Sequence, residues 1–231
     1  MGGPVTAVLR LTDPQSLTDL GRFASRARTV DDEGAMRLQA SGVVLAAWVG
    51  VLPGNGILAE GTVLGLRTFG LAEPAEVDVT VPLGAVTDRT ERGGGGIGAD
   101  LSLPPTRAVA AWSAVTPPRG PWEPAGTLPG DLLAAVARAG LAEVADAVRE
   151  RGAAAGLVRD RVWARDVLEA AGPHPDLLDG SGGFEGGAKV RSGGAFAAYA
   201  LGFLAPGQPV QVLRSNRWTR LTAPGGHVLI R

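Results

Sequence analysis

The chain has 231 residues, 45% of them hydrophobic, and its 22 basic and 23 acidic side chains leave a formal net charge of −1. This composition can bury a substantial core, which excludes disorder throughout, and its charge balance offers no overall attraction for nucleic acid or an anionic membrane. With no cysteine and two histidines, the usual materials for disulfides, nucleophile–base pairs and transition-metal sites are missing or scarce, so the sequence predicts no catalytic residue, no metal and no cofactor.

The first 116 residues predict a strand-rich α+β half. Residues 5–11 alternate as a short strand does, and Asp13 followed by Pro14 marks the start of an amphipathic helix over residues 14–29. This order of a strand, a helix and then several strands (β-α-β-β-β) predicts mostly antiparallel pairing. The further elements predicted are strands at 35–40, 43–52, 57–69 and 77–81, a turn at 41–42 and a short helix at 83–90.

A proline-rich segment, residues 117–122, follows a run of four glycines at 93–96. We place the boundary between two halves there, at 1–116 and 117–231, with one continuous domain as the alternative. The second half predicts a mainly helical region that ends in a small β unit. Its predicted helices span 129–148 (bent or broken at Gly140), 157–171 and 195–204, and its predicted strands 210–213, 218–221 and 227–230.

Basic residues near a glycine-rich helix start predict an anion site in the second half. Ser192 precedes the helix predicted at 195–204, where backbone amides and a helix N-terminus can hold a phosphate or a carboxylate. Ordinary capping and surface ion pairs on the preceding helix are the competing explanations. The candidate ligand-binding residues are Arg159, Arg161, Lys189, Arg191 and Ser192.

Two further groups of arginines are candidates for contact with nucleic acid. Arg22, Arg26 and Arg28 lie on the polar face of the first helix, for which a solvated face is the alternative interpretation. Arginines also flank Trp218 on a predicted hairpin, where a base-stacking platform competes with core packing of the indole. These are Arg214, Arg217 and Arg220.

Residues 93–98 formally contain the glycine spacing of a dinucleotide-binding loop. No buried strand precedes them and Pro104-Pro105 follows them, so the segment is typical of an ordinary loop. The single lysine, Lys189, is not part of a phosphate-binding P-loop motif.

Two motifs in the second half carry a resemblance to a known family. They read Pro118-Arg119-Gly120-Pro121-Trp122-Glu123-Pro124-Ala125-Gly126 and Arg217-Trp218-Thr219-Arg220-Leu221-Thr222-Ala223-Pro224-Gly225-Gly226-His227-Val228. Over roughly 115–231 the chain resembles a family of uncharacterised proteins from high-G+C actinobacteria. This resemblance implies an origin and brings no known activity.

The order of elements in residues 5–115 is similar to the repeating unit of DNA sliding clamps. No residue motif accompanies this likeness, which is an analogy of fold order. It implies a DNA-associated protein that uses the arginine strip of the first helix.

Together these observations predict a non-catalytic, cytoplasmic binding or assembly module without a membrane segment, since the longest apolar stretch, residues 42–53, cannot span a bilayer. A protein partner or a second copy of the chain would contact the apolar strand 42–52 or the helix face 195–204. The first alternative is an enzyme or small-molecule binder that holds an anionic ligand with arginines and carboxylates between the halves. The second is a DNA-associated protein of clamp-like topology.

Overall fold

The structure is a computed structural model that describes residues 8–54, 56, 59–94, 98–152, 155–172 and 189–231. Its contacts divide the chain into two units, Met1–Val51 with Leu66–Thr116, and Leu52–Gly65 with Pro117–Arg231. Helices and antiparallel strands both contribute heavily, which confirms the predicted α+β class. The units differ from the predicted halves by the segment 52–65, and the domain boundary itself stays a prediction.

The first unit contains the elements from β1 to a short 3-10 helix. These are β1 (Val8–Arg10), α1 (Pro14–Val30), β2 (Ala35–Leu52, except its last residue), β3 (Val63–Pro82, from Leu66 onward), α2 (Leu83–Gly94), β4 (Asp100–Ser102) and the 3-10 helix Ala111–Ala114. β1 pairs antiparallel with β4. The predicted helix start is confirmed, because the Asp13 carboxylate accepts a 2.8 Å hydrogen bond from the amide of Ser16.

The apolar stripe of α1 forms the core of this unit. Its residues are at most 3% exposed, as the helical spacing predicts: Leu17, Leu20, Phe23, Ala24 and Ala27. α2 packs against α1 and extends the predicted helix 83–90 to Gly94.

β2 and β3 are each one long strand, so the predicted turn at 41–42 and the predicted separate strands are wrong. Within β2 the buried positions change from even numbers, ending at Ala40, to odd numbers from Leu45. Gly42 has φ +59 between them, a backbone conformation that suits glycine and a β-bulge. The strand therefore continues through the glycine with its faces exchanged instead of turning back. Residues 57–58 of the predicted strand 57–69 lie outside the described residues.

Contacts on one face show that β2 also bends. Trp112 lies against Gly50, while the carbonyl of the next residue, Ser113, accepts a 2.9 Å hydrogen bond from Arg37. Residues 37 and 50 would be about 40 Å apart in a straight strand. A bend at the irregular segment 41–44 brings both ends to the same 3-10 helix.

The second unit contains a sheet covered by helices. Its elements are β5 (Glu123–Pro129), α3 (Gly130–Arg151), α4 (Ala155–Ala164), α5 (Val167–Ala171), α6 (Ser192–Ala200), β6 (Pro209–Ser215), β7 (Trp218–Ala223) and β8 (Gly226–Ile230). The strand order is β3-β8-β7-β6-β5, with residues 63–65 of β3 in this unit, and the pairings from β5 to β8 are antiparallel. The predicted C-terminal β unit is confirmed.

Several predicted helices of this unit differ from the structure. α3 runs through Gly140 without a break. The predicted helix 157–171 is two helices, because Asp166 caps a new one by accepting a 2.9 Å hydrogen bond from the amide of Leu168. α6 begins at Ser192, three residues earlier than predicted. None of the described helices has the length and apolar character needed to span a membrane.

Candidate anion-binding site

A cleft of about 430 Å³ lies in the second unit. We call it the cationic cleft. Its charged lining consists of five cations and two carboxylates, namely Lys189, Arg191, Arg214, Arg217 and Arg231 with Asp166 and Glu169.

Asp166 positions the two cations that come from the segment before α6. One carboxylate oxygen accepts the hydrogen bond from Leu168 and the other accepts a 3.0 Å hydrogen bond from the amide of Val190. Asp166 also forms an antiparallel bridge with Arg191, and the amide of Ser192 donates to the carbonyl of residue 165 at 2.8 Å. The chain that carries Lys189 and Arg191 is thereby held along the break between α4 and α5.

The sheet supplies the other three cations. Arg214 stands opposite Thr219 in the β6–β7 register, and Thr219 stands opposite Ile230 in β8. Directly opposite residues point to the same face, so the side chains of Arg214, Thr219 and Ile230 form one row across the sheet. Arg217 lies in the two-residue turn between β6 and β7, and Arg231 directly follows β8.

The electrostatics of the cleft differ from those of the rest of the protein. Many other arginines pair with a carboxylate, as Arg37 does with Asp78 at 2.6 Å and Arg165 with Glu143. Among the described residues, none of the five cations of the cleft has a carboxylate oxygen within 4.0 Å. Both oxygens of Asp166 accept backbone hydrogen bonds, so within the described part of the chain an anionic ligand meets cations that have no carboxylate partner.

A smaller cleft of about 110 Å³ adjoins the first, and we call it the Trp163 cleft. It shares Ala164 and Arg191 with the cationic cleft and adds Arg159, Asp160 and an apolar wall that includes Trp163. Trp163 is 6% exposed and stacks on Phe196 with the ring centroids 4.7 Å apart. The indole is therefore a rigid wall.

The structure brings together some of the predicted anion-binding residues. Lys189 and Arg191 line the cationic cleft and Arg159 lines the Trp163 cleft. Arg161 is exposed and lines neither cleft, and Ser192, 1% exposed, is absent from both linings. The Ser192 Oγ has no hydrogen-bond partner among the described atoms.

Sequence reasoning missed Arg231 and did not connect Arg214 and Arg217 with Arg191. The signal in the sequence was the set of arginines around Trp218, considered above only as a stacking platform. Trp218 is 7% exposed, so its ring packs in the protein and offers no surface for a base. Strand register, which the sequence does not show, is what places these arginines beside α6.

Two of the three arginines in the strip on α1 have a carboxylate partner. Arg22 pairs with Asp19 at 3.4 Å and Arg28 with Asp32 at 2.7 Å, while Arg26 is exposed. This weakens the case for a nucleic-acid contact there, which stays a prediction.

A second titratable cluster lies on the other face of the β7–β8 pair. Arg220 stacks over the ring of Trp122 at 4.7 Å, and burial lowers its pKa. Burial, with a smaller contribution from the charge of Arg220, lowers the pKa of His227, whose Nδ1 lies 3.1 Å from the hydroxyl of Thr222. Within the described ranges, no three His, Cys, Asp or Glu side chains are grouped to hold a metal ion.

The fold and cleft define an α+β protein with a recessed cationic surface in its second unit. Residues 5–114 match the domain of unknown function DUF8010, and residues 117–231 match the domain of unknown function DUF8185. No curated protein matches the chain. The two domain matches agree with the predicted resemblance to a family without known activity, whereas the actinobacterial origin and the clamp likeness stay predictions.

Proposed function

We propose that this protein is a non-catalytic binding module whose second unit holds an anionic ligand, of phosphate or carboxylate type, in the cationic cleft. The observation that carries this proposal is the convergence of five cations on one recess without a carboxylate partner among the described residues. Like charges held close together are unfavourable, and an anion that neutralises them gains charge-assisted hydrogen bonds worth about 1.5–3 kcal/mol each.

The shape of the cleft supports a small ligand. Its volume of about 430 Å³ lies within the range of small-molecule sites. Arg191, Arg214 and Arg217 can each offer a planar fork of donors that suits phosphate and carboxylate oxygens.

The lining favours binding over chemistry. Among the described residues that line it there is no histidine or cysteine, and the one hydroxyl, on Thr219, belongs to a 7% exposed side chain. A nucleophile needs a neighbouring base to be activated, and of the two carboxylates in the described lining, Asp166 already accepts a backbone hydrogen bond at each oxygen.

Titration calorimetry with inorganic phosphate and citrate tests the proposal. Arg191→Ala and Arg214→Ala are each expected to weaken binding by about tenfold to a hundredfold, the equivalent of one charge-assisted hydrogen bond. Arg161→Ala is the matched control, because that exposed arginine is nearby in sequence and lines neither cleft. Equal losses in all three variants, or no binding by the wild type, would contradict the proposal.

A second candidate function is self-assembly through β2. Among the described strands, β2 pairs only with β3, and β5 pairs only with β6, so each has one edge without a partner strand. β5 contains Pro124 and Pro129 and an irregular register, features that block edge pairing. Residues 42–52 of β2 contain neither proline nor charge, and Val43 and Val44 are 53% and 47% exposed.

This asymmetry favours pairing of β2 with β2 of a second copy, which closes as a two-fold dimer. The alternative contact on the helix at 195–204 offers less apolar surface, since Ala195, Ala197 and Ala198 are fully buried and Tyr199 is 37% exposed. Sedimentation is expected to show a dimer that Val44→Lys dissociates and Val8→Lys, on β1 at similar exposure, does not. A monomer at all concentrations would refute this candidate.

A further inference from the structure

Arg191 is shared by the two clefts, so one guanidinium faces two recesses. Gly61, with φ +83, lies so close that a Cβ there would be 3.3 Å from the Arg191 Nη1. The Gly61 amide donates a 2.8 Å hydrogen bond to the carbonyl of Arg231, which ties this segment to the end of β8. The guanidinium is therefore confined by backbone on one side. Its five donors can serve groups in both recesses.

The charge of the cationic cleft exceeds what one anion neutralises. Among the described residues, five cations face two carboxylates in the lining, whereas a single phosphate monoester carries about −1.5 to −2. A ligand with two or more linked phosphate-type groups matches the excess positive charge better than a lone anion.

The Trp163 cleft has the features of a terminal subsite for one anionic group. Arg159 enters it with only an exposed ion pair to the adjacent Asp160, at 3.2 Å, which a ligand can replace at small cost. The apolar wall, which includes Leu52 and Val63, reduces the local dielectric and strengthens the attraction to a bound anion. A cavity volume of about 110 Å³ is several times what one buried water needs, enough for a tetrahedral anion.

We infer that the ligand is an oligophosphate-type small molecule with at least two covalently linked anionic groups, one among the sheet arginines and another beyond Arg191, near Arg159. This inference rests on the proposed function and adds the class of ligand. Nucleic acid fits less well, because Trp163 and Trp218 are 6% and 7% exposed and offer no stacking surface for bases.

The test is a calorimetric series at fixed ionic strength with inorganic phosphate, pyrophosphate and tripolyphosphate. The expected result is a fall in Kd of at least tenfold along the series. Arg159→Ala is expected to remove most of that gain while leaving the Kd for inorganic phosphate unchanged. Arg161→Ala, again the matched control, keeps the whole series. Thermal melting of each variant checks that these exposed substitutions leave the fold intact.

Three results would overturn the inference. If phosphate binds and the longer chains bind no tighter, the proposed anion site stands and the oligophosphate ligand does not. If chain length matters but Arg159→Ala changes nothing, the ligand is confined to the cationic cleft. If a single-stranded oligonucleotide binds more tightly than tripolyphosphate at the same salt concentration, the ligand is a nucleic-acid backbone. Failure of every anion to bind refutes the proposed function itself.

Discussion

Gly140 lies in the middle of α3 at a point where the helix touches the Trp163 ring. A Cβ at this position would be 2.5 Å from Cζ3 and 2.8 Å from Cη2 of Trp163, and 3.0 Å from a methyl group of Val162. The indole cannot move away freely because it stacks on Phe196. We therefore expect Gly140→Ala to destabilise the protein although alanine is the better helix former.

The magnitude follows from two opposing effects. Alanine in a helix interior stabilises by about 1 kcal/mol relative to glycine. Forcing an extra methyl group into a packed interface costs typically about 1–3 kcal/mol. The expected net loss is about 1 kcal/mol, which lowers the Tm of a chain of this size by about 2–4 °C.

Urea unfolding of four proteins measures the effect: wild type, Gly140→Ala, Trp163→Leu and the double variant. With leucine at 163 the clash is relieved, so Gly140→Ala is expected to stabilise by about 1 kcal/mol in that background. Gly156→Ala in α4 is the control, because no atom lies within 4 Å of its Cβ position. That substitution is expected to stabilise by up to about 1 kcal/mol in either background.

A change of sign between the two backgrounds is the decisive result. If Gly140→Ala stabilises the wild type, the close packing of helix and indole is refuted. If it destabilises both backgrounds equally, Val162 and not Trp163 sets the distance. Trp163 lines the Trp163 cleft, so Gly140→Ala is also expected to weaken the binding of tripolyphosphate more than that of phosphate.

Four further substitutions probe three polar side chains. Because the pKa of His227 is lowered in the folded protein, the unfolded chain binds the proton more readily. The free energy of unfolding should therefore fall as the pH falls from about 6.5 toward the lowered pKa. Urea midpoints at pH 7.5 and 5.5 should show this loss of stability, and His227→Gln should make the loss smaller. The hydrogen bond from Arg165 lowers the pKa of Glu143, so the stability that this pair contributes is present at pH 7 and is lost as the pH falls through the lowered pKa. Because both side chains are more than a third exposed, Glu143→Gln should cost less than about 1 kcal/mol at pH 7 by urea unfolding, and this cost should shrink as the pH is lowered. Asp166→Ala removes the acceptors of two backbone amides and should lower the free energy of unfolding by about 1–2 kcal/mol in the same assay. Asp166→Asn keeps one acceptor oxygen and should cost less. Equal losses in the two variants would contradict the arrangement in which both oxygens accept a hydrogen bond.

The local chemistry of the chain determined the elements that depend on near neighbours. The apolar spacing of α1 and its Asp13 cap, and the alternation of β6, β7 and β8 between turn residues, predicted those elements before any tertiary contact was known. Helical periodicity and strand alternation arise from backbone geometry over a few residues, which makes them readable in a sequence.

In other segments, tertiary contacts determined the structure against the local sequence pattern. β5 has the unpromising sequence Glu123-Pro124-Ala125-Gly126 and exists because its backbone pairs with β6. The first turn of α6 contains Gly193 and Gly194, and each lies too close to its neighbours for a side chain, the first against Leu52 and the second against Ile230. Local propensity is worth a fraction of a kcal/mol per residue, so pairing and packing prevail where they compete.

The cationic cleft belongs to the same category. Lys189 and Arg191 were candidates from the sequence, whereas Arg214, Arg217 and Arg231 join them only through strand register and the return of the chain before α6. Residues more than twenty positions apart leave no periodic signal of their proximity. The sequence by itself determined which charges the protein has, and the tertiary structure decided that five of them share one recess, because only packing brings distant parts of a chain together.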